Sequence, residues 1–426
     1  MAEEDLRVAV VGAGIGGLAA ATALHRTGVR VEVFEQAPAL REVGAGLHLA
    51  PNGSRLLHRF GLADRLRAIA VRPEALEVRL FNGAKVLTRQ PMGDSWEAEF
   101  GAPHYTVHRA HLHALLAEQV PAGAIRTGRR LVGFTEAADG VRLEFADGTA
   151  ARADLLVGAD GVHSVVRRAL GHPDEPVFSG TAAVRGVVPA GLVPEVAPDT
   201  MYVWAGAELR LMAQPVDGGR QISFVAVLPD TGGSAESWSR PGDRGALLDA
   251  FAGWDPAATA LLAAATETWH WTLYDREPLP GWSTPRTTLL GDAAHPMLPH
   301  HGQGASQAIE DAVALAAVLA DRAPGPEGLA EALQRYERLR LDHTSRVRAG
   351  SLAGGSQRLA PPAGGPGGPG GSGGSGGPGG PDRPGGAGGA SGPGGAGGAM
   401  SALVADVSWV QKYDVAAELA ALPTGR

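Results

Sequence analysis

Apolar residues recur along this chain with two periods, and the places where one gives way to the other divide it. Residues 7–11 are a short run in which all but Arg7 are Val or Ala, stopped by glycines, the pattern of a buried strand. From Ile15 to Arg26 the apolar residues and alanines suit a helix, with Gly28 placed as its C-cap. Val29 to Glu35 then alternates as a second strand. Strand, helix and strand in this order predict a βαβ opening, hence an α/β domain around a parallel sheet. Between residues 73 and 103, and again from 172 to 282, the texture changes. Short alternating stretches such as Leu76-Glu-Val-Arg-Leu-Phe and Gln221-Ile-Ser-Phe-Val-Ala-Val-Leu are separated by turn residues, as in antiparallel strands. The two pieces read as one sheet-rich substrate domain inserted into the first domain, which then comprises residues 1–72, 104–171 and 283–350. Helical spacing returns from Gln307 to Asp321 and from Glu327 to Arg348.

Residues 361–399 break both periods. They are mostly Gly and Pro without a Gly-X-Y repeat, so they cannot bury a core and read as a disordered linker. The tail that follows, residues 400–426, carries Trp409 and Tyr413. Composition narrows the chemistry further. A formal net charge of −8 gives no reason to expect nucleic acid or an anionic membrane as partner. The chain has no cysteine, which removes disulfides, thiolate metal sites and a cysteine nucleophile, and leaves redox chemistry to a bound cofactor. The acidic N-terminus lacks the basic start of a secretory signal, and no apolar stretch reaches the ~18 residues of a membrane span. A soluble, cytoplasmic protein without integral membrane contact is expected.

The first chemical motif is Gly12-Ala-Gly14-Ile-Gly16-Gly17, a G-x-G-x-x-G lying directly after a strand and opening a helix. Gly12 permits the tight turn, Gly14 the close approach of a pyrophosphate, and Gly17 the packing of helix on strand. The helix N-terminus offers free N–H groups to phosphates. Glu35 ends the second strand, where an acidic side chain accepts from ribose hydroxyls. The motif predicts a dinucleotide without separating FAD from NAD.

Two further segments make that separation. Leu155-Leu-Val-Gly-Ala-Asp160-Gly161 is a strand and a sharp turn; Thr287-Thr-Leu-Leu-Gly291-Asp292-Ala-Ala-His295 is a second strand ending in Gly-Asp. His300-His301-Gly302-Gln303-Gly304-Ala305 follows and leads into a helix. In these segments the chain resembles the group A flavoprotein aromatic hydroxylases, in the branch of salicylate hydroxylase and 6-hydroxynicotinate 3-monooxygenase. The resemblance runs from Leu6 to about Ala360 and resumes weakly at Trp409-Val-Gln-Lys-Tyr413-Asp414. It implies an α/β fold: a Rossmann-type FAD-binding domain with an inserted antiparallel β-sheet substrate domain (PHBH-like) and C-terminal helices. It also implies FAD as cofactor, NADH or NADPH as reductant, and O2 with a small aromatic compound as substrates. By the same resemblance Asp160-Gly161 serves both FAD and the nicotinamide, and Asp292 hydrogen-bonds the ribityl chain. Arg41 and Arg109 contact FAD, and Gly302, Gly304 and Ala305 bring a helix N-terminus to the pyrimidine edge of the flavin. A homodimer is common among the apparent relatives.

The resemblance implies that an electrophilic flavin hydroperoxide attacks a ring carbon activated by a phenol-type hydroxyl. A polar group that polarises or removes the hydroxyl proton is then needed, and histidine is suited to it. His48 and His300 are the candidates, with His301 as the neighbour of His300; His295 reads as structural or adjacent to FAD. Gln214 precedes a proline where related hydroxylases often have tyrosine or histidine. It can hydrogen-bond but cannot act as a base at neutral pH. Arg185 matches a family arginine near the domain junction, for which nicotinamide binding and structural ion pairing stay equally open. The main alternative keeps the flavin chemistry but takes a larger polyketide- or isoprenoid-type substrate; an oxidase or dehydrogenase without oxygen insertion and a non-catalytic FAD-binding module are the others. No grouping of ligand-type residues is left over, so no metal is expected.

Overall fold

The computed structural model describes residues 6–40, 45–172, 176–230, 240–356 and 407–421. Arg41 and the Gly/Pro-rich stretch 361–399 lie outside the described residues, as do parts of the tail.

A five-stranded parallel sheet forms the frame. Its order is Thr287–Leu289, Leu155–Gly158, Arg7–Val11, Arg30–Phe34 and Ile125–Arg126, so strands from three distant stretches of chain lie side by side. The helices Ile15–Arg26 and Gly304–Ala320 pack against one another and bury their alanines and leucines in the largest apolar cluster of the molecule. A small antiparallel sheet, Leu131–Ala137, Gly140–Phe145 and Ala150–Ala153, adds a flank that the sequence pattern did not set apart.

An eight-stranded sheet draws on both inserted pieces. Its order is Arg240–Pro241, Trp269–Asp275, Val177–Pro189, Gln221–Pro229, Arg210–Val216, Thr200–Ala205, Ala75–Leu80 and Val86–Pro91. One of its junctions departs from the antiparallel expectation: Ala75–Leu80 pairs in parallel with Thr200–Ala205, making the sheet mixed. These strands come from separate excursions of the chain, so no hairpin obliges them to run in opposite directions. The period of two decides what each face does. Leu211, Ala213, Ile222, Phe224, Ala226 and Val184 point to one face, where they pack with Leu247, Phe251, Leu261 and Leu262 of two short helices. Arg210, Met212, Gln214, Ser223, Val225, Val227 and Arg185 point to the other face and floor a cavity.

The long helix Gly325–Ser356 packs against the helix Gly304–Ala320 and the turn Pro299–His301, and the C-terminal segment is clamped beside it. Tyr413 stacks on His343 at 3.7 Å between ring centres, Arg55 donates to the Tyr413 carbonyl at 2.8 Å, and Arg59 grips Asp414 through two bonds of 2.7 and 2.6 Å. Among the described residues no helix is long and apolar enough to cross a membrane.

Candidate active site

The glycine loop builds one end of the site. Gly12 adopts a φ of +100°, and a Cβ there would run into the Ala159 carbonyl; a Cβ on Gly17 would run into the Gly12 carbonyl. Both glycines are therefore required by packing. Around Gly14 a Cβ would meet nothing within 4 Å, because it borders open space. The helix that follows has no side-chain cap at Gly14, so its first N–H groups are not closed off by a cap. Glu35 is aimed at this loop: its two carboxylate oxygens accept from Ala13 N and Ala37 N, each at 2.8 Å.

From Gly14 a cavity of about 310 Å³ runs past Arg109, Gly161 and Asp292 to Gly302, Gly304 and Ala305, then on to the floor of the eight-stranded sheet. Asp292 is surrounded by protein yet turns an exposed carboxylate into this cavity, and no hydrogen bond holds it. Burial pushes its carboxyl above the ordinary value, against the pull of His295, Arg109 and Arg276. The helix Gly304–Ala320 also starts at the cavity without a side-chain cap. Two uncapped helix N-termini, one carboxylate without a hydrogen bond and one open glycine edge thus border a single space. That donor and acceptor set suits the pyrophosphate, ribityl and pyrimidine parts of FAD.

Asp160 is placed otherwise. Its carboxylate is occupied by Ser164 Oγ at 2.5 Å, Val165 N at 2.7 Å and Val166 N at 3.2 Å, which hold the start of the next helix, and its neighbour Gly161 lines the cavity instead. His295 is turned away from the cavity to bond Asp311 at 2.6 Å. Of the two adjacent histidines, His300 lines the cavity, while His301 packs against Gly350 and Gly354 of the long helix.

At the sheet end the floor is ordered by strand register. Arg185, Val225 and Met212 stand side by side across three strands, with Gln214 beside Ser223 one step along and Arg210 beside Val227 one step the other way. Trp271, Leu47 and Leu298 complete an apolar wall. His48 hangs over this floor from the strand Gly46–Leu49, so close to Gly302 that a Cβ there would lie 3.1 Å from the imidazole. Gly302 also needs its left-handed φ of +61°. Burial lowers the imidazolium pKa of both His48 and His300 to about 4; the Gln214 side chain opposes this at His48, while Arg210 and His301 add to it at His300. Both rings are neutral at physiological pH.

Sequence reasoning passed over four residues here. His104 bonds His48 at 3.3 Å, and nothing in its own Pro-His-Tyr context marks it. Arg210 could have been found, because it shares the period-two face of Gln214. Asp311 and Arg340 support the site from behind. Asp311 accepts from Gly291 N at 3.0 Å and bonds His295, fixing the turn that carries Asp292, and Arg340 binds Asp311 at 2.7 Å and Glu310 at 2.6 Å.

A Rossmann-type sheet, a glycine loop opening onto a cavity with a single carboxylate among its described lining residues, Asp292, and a second sheet closing its far end define a flavoprotein oxidoreductase. The chain belongs to the FAD binding domain family, whose profile matches residues 5–351. It is 44% identical over 348 residues to a 3-amino-4-hydroxybenzoate 2-monooxygenase of Streptomyces cremeus, covering 82% of this chain and 86% of that one. It is 40% identical to a 6-hydroxynicotinate 3-monooxygenase of Bordetella bronchiseptica, covering 80% and 89%. A salicylate hydroxylase solved in complex with its substrate superposes with a TM-score of 0.77 at 28% identity, covering 98% of both chains.

Proposed function

We propose that this protein is an FAD-dependent monooxygenase that uses NADH or NADPH and O2 to hydroxylate a small hydroxyaromatic carboxylate. The observation that carries this reading is the composition of the sheet end of the cavity. It pairs an apolar wall with two arginines, two neutral histidines and a glutamine, and Asp292 at the flavin end is the one acid among the described lining residues. A flat ring bearing a carboxylate and a hydroxyl matches that surface. An isoprenoid-type hydrocarbon would offer nothing complementary to the charged and polar side chains on this floor. The relatives named above act, by their names, on aminohydroxybenzoate and hydroxynicotinate, both small ring acids of this kind.

Bound FAD supplies the electron transfer and oxygen activation; the chain supplies binding and proton control. Glu35, Gly14 and the first helix would hold the adenosine and pyrophosphate, Asp292 the ribityl chain, and the Gly304–Ala305 N-terminus would favour negative charge on the flavin. His48, Gln214 and His300 handle the substrate hydroxyl and its proton, and Arg210 takes the carboxylate. Replacing Arg210 by methionine should then raise KM for the acid roughly 10- to 100-fold, the value of one charge-assisted hydrogen bond, with a smaller change in kcat. A neutral analogue of the same ring should be unaffected; equal losses for acid and neutral analogue would remove Arg210 from the role.

The reading is tested by following NADH and NADPH oxidation with 3-amino-4-hydroxybenzoate, 6-hydroxynicotinate, salicylate and 3- and 4-hydroxybenzoate under labelled O2. One acid should accelerate oxidation strongly and yield a product carrying a single labelled oxygen. Slow oxidation that no acid stimulates would shift the proposal to the larger-substrate alternative.

A further inference from the structure

His48 and His104 form a pair of enclosed imidazoles joined by one contact, His48 Nδ1 to His104 Nε2 at 3.3 Å, with the rings nearly perpendicular. A contact between two neutral imidazoles holds one proton, which belongs to one ring or the other. The rest of the pair decides which. His104 Nδ1 is buried and has no hydrogen-bond partner. The Trp96 ring lies edge-on to His104, and its indole N–H is likewise buried without a partner.

If His48 held the shared proton on Nδ1, His104 would accept it at Nε2 and carry its own proton on Nδ1. That would bury a second N–H without an acceptor, beside the unmet donor of Trp96. An orphaned buried N–H is the rarer and costlier defect, at about 1–3 kcal/mol. If His104 carries its proton on Nε2, it donates to His48 Nδ1, and its bare Nδ1 is left as an unpaired acceptor, a cheaper defect than a second orphaned N–H. His48 then keeps its proton on Nε2, the nitrogen that His104 does not engage, as a donor for the cavity its ring lines. Gln214 hydrogen-bonds His48 and does not discriminate, since an amide both donates and accepts.

We infer that His104 is a positioning residue that fixes His48 as a hydrogen-bond donor to the substrate oxygen, so that His48 stabilises the ionised hydroxyl instead of abstracting its proton. The inference rests on the hydroxylase reading for the identity of that oxygen, and revises the base role expected of His48. Burial lowers the conjugate-acid pKa of the two rings to about 4 and about 3, so neither stores a proton at neutral pH. The proton of the hydroxyl passes to solvent past the half-buried His300 on the cavity wall, whose conjugate acid, also lowered to about 4, relays the proton without storing it. The charged groups around the same space are Arg109, Arg185, Arg210 and Asp292; the shifts of the two rings are set instead by burial, by Gln214 at His48 and by His48 at His104.

The direct test is the tautomer itself. Holoenzyme labelled with ¹⁵N-histidine is examined by long-range ¹H–¹⁵N correlation at neutral pH, with His48→Gln and His104→Phe used to assign the two rings. Both rings are expected to be protonated at Nε2; a proton on His48 Nδ1 would overturn the inference. Turnover gives a second readout, using an acid that stimulates the unmodified enzyme. His48→Gln keeps an N–H donor but has no base, so it should retain coupled hydroxylation within about tenfold, whereas His48→Ala should consume NAD(P)H without hydroxylating. Equal loss of coupling in both variants would restore the base role and remove the donor role. If no acid stimulates the unmodified enzyme, the hydroxylase reading fails, and the tautomer measurement still decides the part played by His104.

Discussion

Replacing Asp292 by alanine is expected to strip the protein of FAD. The carboxylate has no hydrogen-bond partner within the protein, faces the cavity, and is raised by burial, so hydroxyls of a bound polyol would supply the donors it lacks. Each hydrogen bond from a hydroxyl to a charged acceptor contributes about 1.5–3 kcal/mol, which is roughly 10- to 150-fold in affinity. Titrating FAD into apoprotein and following flavin fluorescence should therefore show the Kd rising at least tenfold in Asp292→Ala. Asp292→Asn, which keeps one acceptor oxygen, should fall between the two. An alanine variant that purifies yellow with unchanged affinity would show that the ribityl chain lies elsewhere.

Arg340→Met should be the most destabilising single change in the supporting shell. Arg340, Glu310 and Asp311 are all fully buried, and the guanidinium binds both carboxylates and the Gln307 side chain. Removing one partner of such a group strands the others, at a cost of about 3–5 kcal/mol, measurable by chemical denaturation. The pH dependence should change with it. In the intact protein burial pushes the Asp311 carboxyl up, but His295 and Arg340 outweigh this and hold it well below its ordinary value. It thus contributes stability that is present above the unfolded value near ~3.9 and is lost as pH falls. Glu310, which burial already raises above its ordinary value, should rise further without Arg340, while His295 still pulls Asp311 down, so the variant should lose stability through Glu310 as pH rises toward neutral. A variant that unfolds at the normal denaturant concentration would mean that the cluster contributes nothing net. Because Asp311 also holds Gly291 and His295, weaker FAD binding should accompany the destabilisation.

What the sequence made legible follows from where the information sits. The glycine loop is local: Gly12 and Gly17 are dictated by backbone packing within a few residues, and Glu35 lies one strand away. Asp292 is legible because a Gly-Asp turn at a strand's end leaves few places for the carboxylate to go. Asp160 shows the limit of that reasoning, since its carboxylate closes the next helix and the cavity is reached by Gly161 instead. His104 and Arg340 were illegible for a different reason. Their partners are 56, 29 and 30 positions away, and only the packed chain brings His104 to His48 or Arg340 to Asp311 and Glu310. Arg210 lies between these cases, because the alternation that points Gln214 into the cavity points Arg210 there too. The parallel junction between Ala75–Leu80 and Thr200–Ala205 lay beyond any local pattern.

The strand order of the parallel sheet also has a consequence for biosynthesis. Leu155–Gly158 finds its outer neighbour only when Thr287–Leu289 has been made, and the intervening chain must meanwhile build most of the second sheet. At the usual ~5–20 residues per second, the nascent nucleotide-binding half waits roughly 6–25 s with a bare strand edge exposed. Such an edge pairs readily with other chains. Slower growth at low temperature and available chaperones should therefore raise the soluble yield more than any stabilising substitution, and a fragment ending before residue 287 should be recovered as aggregate.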